Sequence, residues 1–141
     1  MGKNIKGQDL QSDFKPIHFL YISKYLFKVA QNDCPIPDSA YRSAISRAYY
    51  AAFLEARSYA ANRMDFSSSK TGKDHTILAN FYKKSKEHSV QDIGDYLFKL
   101  KKWRLISDYD IPAEYSVPIK EQAKDAILHS IQIFSKLRSM N

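Results

Sequence analysis

The sequence predicts an all-α protein, an up-and-down bundle of about five helices. Three observations carry this: apolar residues recur at helical spacing in successive segments, no stretch sustains the period-2 alternation of a half-buried strand, and the 4 glycines and 5 prolines fall mainly at the seams. With 141 residues, 44% of them hydrophobic, the chain has enough apolar surface for one core and is too short for two. The expected organisation is a polar N-terminal tail over 1–12 and one helical domain over 13–138.

The elements follow in order. Ser12 or Asp13 is expected to cap the first helix, with Pro16 in its first turn and Phe19, Ile22, Leu26 and Val29 as its apolar stripe, ending near Asn32. Cys34-Pro35-Ile36-Pro37 stops it. Asp38 or Ser39 should cap a long second helix that runs to about Met64. The polar stretch Phe66 to Gly72 is expected to be a mobile loop. A third helix spans roughly Asp74 to Lys86, and a fourth starts near Asp92 and runs toward Asp108. Asp110 to Pro118 reads as a connection, and Ser116 with Pro118 opens a fifth helix carrying Ala123, Ile127, Ile131 (or Ser130), Phe134 and Leu137.

Two helices are chemically unusual. In the second, Tyr41, Ile45, Ala48, Ala52, Ala56 and Tyr59 form a small-residue face that lets a neighbour approach closely. Nearly opposite lie Ala40, Ser43, Arg47, Tyr50, Ala51 and Leu54, too apolar for a solvated back. This helix is therefore either the central one or meets a second subunit or a ligand around Arg47 and Tyr50. In the fourth, Ile93, Leu97, Leu100, Arg104 and Asp108 share one stripe, with Lys99, Lys102 and Ile106 pointing elsewhere. An arginine in such a stripe needs a counter-ion, and Asp108 at i+4 supplies one. The pair is either a clamp or part of a site.

Charge and cysteine content narrow the partners. The net charge of +7 favours polyanionic partners such as RNA, DNA or a charged protein. One cysteine, Cys34, excludes an internal disulfide and fits a reducing, cytoplasmic compartment. No signal-peptide run and no apolar span of membrane length is apparent. His18, His75, His88 and His129 lack zinc-site spacing, and Asp108, Asp110 and Glu114 read as solvated or lysine-paired rather than as Mg²⁺ ligands, so neither a metal nor another cofactor is predicted. A Gly-rich phosphate loop and a G-x-S-x-G elbow are both missing. The clusters Lys83-Lys84-Ser85-Lys86 and Lys99-Leu100-Lys101-Lys102-Trp103-Arg104 could contact phosphates, or simply form a solvated face.

Ser43-Ala44-Ile45-Ser46-Arg47-Ala48-Tyr49-Tyr50-Ala51-Ala52-Phe53, then a serine-rich loop, Lys73-Asp74-His75 and Arg104-x3-Asp108-Tyr109-Asp110 together resemble the HEPN superfamily, in its branch ending in Arg-x-x-x-Asp-Tyr. The resemblance covers about residues 12 to 138. It implies a five-helix bundle that dimerises, a role in toxin–antitoxin or antiviral defence, and, for many members, metal-independent ribonuclease activity. Those ribonucleases carry Arg, four to six residues, then His. Here Arg104 is followed by Asp108, and no histidine occurs from Gln91 to Leu128.

On the ribonuclease reading, Arg104 would stabilise developing phosphate charge, Asp108, Tyr109 or His75 would assist proton transfer, and Arg47, Tyr50, Lys101 and Lys102 would bind RNA. Arg104 cannot itself act as an ordinary base. The competing reading is a non-catalytic helical module that pairs with a nucleotidyltransferase-like or other defence partner and keeps Arg104–Asp108 for architecture. Both stay open at the level of sequence.

Overall fold

The computed structural model describes residues 12–109 and 117–141. Within them lie five helices: α1 (Pro16–Ala30), α2 (Pro37–Arg63), α3 (Asp74–Lys83), α4 (His88–Tyr109) and α5 (Ile119–Ser139), with no strand. The polar tail up to residue 11 and the connecting residues 110–116, Asp110, Glu114 and Ser116 included, lie outside the described residues.

Direction follows from side-chain pairing. Phe19 meets Arg47, Ser23 meets Ala44 and Phe27 meets Tyr41, so α1 and α2 are antiparallel. Arg42 donates to the Ser107 carbonyl at 2.8 Å while Arg104 lies on Tyr49, which sets α4 antiparallel to α2. Tyr49 meets His75 and Tyr82 donates to the Ala56 carbonyl at 2.7 Å, so the short α3 runs parallel to α2. Lys136 with Asp92 and His129 with Trp103 fix α5 antiparallel to α4.

α2 is the central helix. Ile45, Ala48, Ala52 and Ala56 on one face and Ala51 on the other are all fully buried within the single chain. Ala51 thus needs no second subunit to cover it; Tyr50 and Leu54 remain half-buried, and Ser43 is exposed. Gly94 lets α3 and α4 pack backbone to backbone, since a Cβ there would lie 2.6 Å from the Ala79 carbonyl oxygen and 2.7 Å from the Lys83 nitrogen.

Several local expectations change. The inward stripe of α1 is Leu20, Ser23, Phe27 and Ala30, one residue out of step with the expected one, and Ile22 is exposed beside Tyr21 and Tyr25. The cause is Ser23, whose hydroxyl donates to the Ala44 carbonyl at 2.6 Å and so satisfies itself inside the core. α1 is capped by Lys15, whose N–H donates to His18 Nδ1, rather than by Ser12 or Asp13. Asp38 lies inside the first turn of α2, where it pairs with Arg42 at 2.5 Å instead of capping. Lys86 lies beyond α3, which ends at Lys83, and α4 begins at His88, before Asp92. Ile106, though off the stripe, is buried.

Candidate functional site

The site grows from α2, where Tyr49, Tyr50 and Phe53 present three rings at the level where α3 begins. His75, the second residue of α3, stacks on Phe53 at 4.2 Å between centroids and on Tyr49 at 5.6 Å, and meets Tyr50 edge-on at 6.0 Å. Its Nδ1 is hydrogen-bonded to the Tyr49 hydroxyl. From the antiparallel α4, the Arg104 guanidinium lies 5.6 Å from the centroids of both Tyr49 and Tyr50. The histidine and the arginine therefore contact the same two tyrosine rings.

Electrostatics tune both groups. Burial pushes the Tyr49 phenol well above its usual range, with Arg104 opposing and Tyr50 adding, so Tyr49 stays protonated. His75 is pushed below its ordinary value, first by burial and then by Arg104, Lys101 and Arg57, with Asp74 opposing. A neutral imidazole results. The Tyr49 phenol serves either tautomer, donating to a bare Nδ1 or accepting from Nδ1–H, and in the second case Nε2 carries the lone pair.

Cations ring this platform. Arg47 lies 5.3 Å from the Tyr50 centroid and 4.7 Å from that of Phe19, Arg57 lies 5.0 Å from Phe53, and Lys101 Nζ donates to Thr76 Oγ1 at 2.8 Å. Arg104 also pairs with Asp108 at 3.5 Å, as its i+4 spacing predicts. Its Nε is buried without a hydrogen-bond partner. His75 lines an open groove of about 790 Å³ together with Leu54, Arg57, Ser68 and Lys70.

One buried carboxylate holds His75 in place. Asp74 accepts from the Ser68 hydroxyl, the Ser69 amide at 2.8 Å and the Ser69 hydroxyl at 2.6 Å, and Arg57 lies 3.6 Å away. Burial alone would raise its pKa, but these donors and the guanidinium hold it well below the usual carboxylate range. The serine-rich loop, expected to be mobile, is thus tied to the start of α3, with Lys70 in the left-handed region at φ 57°.

Of the residues singled out from sequence, Arg47, Tyr50, His75, Lys101 and Arg104 gather here, and Asp108 attaches through Arg104. Tyr109 is exposed at the end of α4. Lys102 lines a different pocket, between α4 and α5. Tyr49, Phe53 and Asp74 fall within the motifs that carry the family resemblance but received no role from the sequence, and Arg57 drew no attention. One signal was present for Tyr49: a tyrosine on a buried helix face needs a polar partner for its hydroxyl. Among the described residues, no group of three or more His, Cys, Asp or Glu gathers as a metal site, and no helix is long and apolar enough to cross a membrane.

The family described as HEPN domain matches residues 18–140. The chain belongs to the HEPN family. Membership supports an RNase-like enzyme or an interaction module on this all-α fold. No curated protein and no solved structure matches the chain at a significant level.

Proposed function

We propose that this protein is an RNA-handling HEPN protein, a dimer that binds RNA and cleaves it without a metal. The supporting observation is the placement of His75 beside Arg104 on the Tyr49–Tyr50 rings. α4 carries no histidine after Arg104, and α3 supplies one through space.

In this reading His75 Nε2 takes the proton of a ribose 2′-OH as that oxygen bonds to the adjacent phosphorus. The bond from phosphorus to the 5′-oxygen breaks, and that oxygen leaves with a proton from water. Arg104, with Lys101 close by, stabilises charge on the non-bridging oxygens. Arg47 and Tyr50 hold the flanking strand, and Asp108 orients the arginine. The product is a 2′,3′-cyclic phosphate.

The test is incubation of purified protein with total RNA and tRNA in EDTA, with end-group analysis of the products. Cleavage to cyclic phosphate that is lost in Arg104→Ala and His75→Ala, with helicity retained, is the expected result. Intact RNA under all conditions rejects the enzyme. Light scattering at micromolar concentration tests the dimer, and a monomer mass rejects it.

The second reading, a non-catalytic module that docks a nucleotidyltransferase-like partner, is favoured by the Arg104–Asp108 pair, which neutralises the cation in place. A toxin–antitoxin or antiviral setting belongs to either reading, and the identity of neighbouring genes tests it.

A further inference from the structure

α1 buries one face in the core and keeps apolar side chains on the other. Phe14, Tyr21, Ile22 and Tyr25 are 42%, 55%, 47% and 64% exposed and follow one another along its outward ridge, Phe14 just ahead of the first turn. His18 joins the row, its ring 6.0 Å from Phe14 and 6.1 Å from Tyr21 between centroids. Four of the nine exposed large apolar residues among the described residues belong to this one row, so it is a patch rather than the single-residue scatter normal at a surface.

The charge around the ridge has one sign. No Asp or Glu occurs from Phe14 to Asn32, nor from Ala126 to Ser139 at the end of α5. Lys24 and Lys28 are i,i+4 neighbours on one flank of the row, Lys15 precedes it, and Arg138 of α5 lines the shallow groove that Tyr21 and Lys24 also line. All four cations are exposed, and none is in an ion pair among the described residues.

The make-up of the ridge favours one kind of partner. A second copy of this chain, docked by two-fold symmetry, would bring the same lysines face to face. A nucleic-acid strand would stack on the rings and pair with the lysines, but would leave Ile22 in water. A bilayer surface uses every part: tyrosines settle at headgroup level, an aliphatic side chain enters the acyl boundary, and lysines meet anionic headgroups.

We propose that the outward ridge of α1 docks the protein on an anionic lipid bilayer, with the helix lying in the plane of the interface. At 15 residues α1 is too short to span, so the attachment is peripheral. Tyr21, Ile22 and Tyr25 insert, and Lys15, Lys24, Lys28 and Arg138 stay among the headgroups. Those three inserted residues take no part in the His75–Arg104 cluster, so vesicle binding and RNA cleavage stand or fall separately.

Flotation of the full chain with lipid vesicles, in the absence of RNA, tests this. The protein floats with vesicles of equal parts phosphatidylcholine and phosphatidylglycerol, stays behind with phosphatidylcholine alone, and is released as salt rises. Lys24→Ala lowers partitioning about fivefold, the loss expected for one basic residue at a charged surface. Tyr21→Ser combined with Tyr25→Ser lowers it at least ~10-fold. Both sites are exposed, and circular dichroism checks that the helices persist. Ile77→Ser, at a residue 44% exposed on α3, leaves partitioning unchanged.

Failure to float with the anionic vesicles overturns the proposal, and loss of oligouridylate binding in the double tyrosine variant would then assign the ridge to nucleic acid. Equal partitioning onto both kinds of vesicle also overturns it. So does full binding by the double tyrosine variant, which would leave only adsorption by charge.

Discussion

His75 and Arg104 come from antiparallel helices and meet on one ring: the Tyr49 centroid is 5.6 Å from the His75 centroid and 5.6 Å from the Arg104 guanidinium carbon. The guanidinium therefore acts on the imidazole through space, and the pair behaves as one electrostatic unit.

That coupling sets a pH response. In NMR titration His75 is expected to ionise below the usual histidine value of about 6.5, and Arg104→Ala or Lys101→Ala should move it upward. As pH falls below about 6.5, the unfolded chain takes up a proton at His75 that the folded chain accepts only at lower pH. Stability falls through that window. Urea titrations across it should show a shallower slope in His75→Phe than in wild type; equal slopes contradict the assignment.

Arg104→Ala is expected to destabilise more than Asp108→Ala. The arginine side chain is 13% exposed and rests on two rings, whereas Asp108 is 35% exposed and the ion pair spans 3.5 Å. Solvent screening limits the pair to about 0.5 kcal/mol, while a largely desolvated cation–π contact reaches about 2 kcal/mol. A double-mutant cycle measures both; a coupling energy near that of the whole Arg104→Ala loss would contradict the ranking.

Asp74→Ala strands the Ser68 and Ser69 donors and the Arg57 charge, and is expected to cost about 1–3 kcal/mol. Its signature is local as well as global. Amide exchange at Ser69 and Lys70 should rise more than at Tyr82, buried toward the far end of α3. Uniform acceleration along the chain would show that Asp74 does not anchor this loop in particular.

Gly94→Ala tests the α3–α4 contact. Alanine normally favours a helix over glycine by about 0.5–1 kcal/mol. Here the added methyl meets backbone atoms that cannot swing away, and overpacking of about 1–3 kcal/mol wins. A melting temperature at or above that of wild type would refute the close approach.

The helices were largely legible because periodicity registers wherever one face is buried. The α1 register was not, since a wheel ranks Ser23 as polar and cannot foresee its bond to the Ala44 carbonyl. The same limit applies to the candidate site. Arg104–Asp108 is an i,i+4 relation within one helix, readable from spacing alone. Tyr49 with His75, and Asp74 with Arg57, join different helices, and no local rule aligns those pairs. Tyr49 also sits on a face that looks purely structural, next to the more exposed Tyr50.

Asp74 precedes His75 by a single peptide bond, and among the described residues the hydrogen bonds to its carboxylate come from Ser68 and Ser69, upstream of Lys70-Thr71-Gly72. The short span between them is bridged twice, once covalently and once by polar contacts. Severing the chain at Lys70 would remove the covalent route only. The new end would stay docked through Ser68 and Ser69, so a nicked molecule keeps its imidazole in register until acid or Asp74→Ala opens the second bridge.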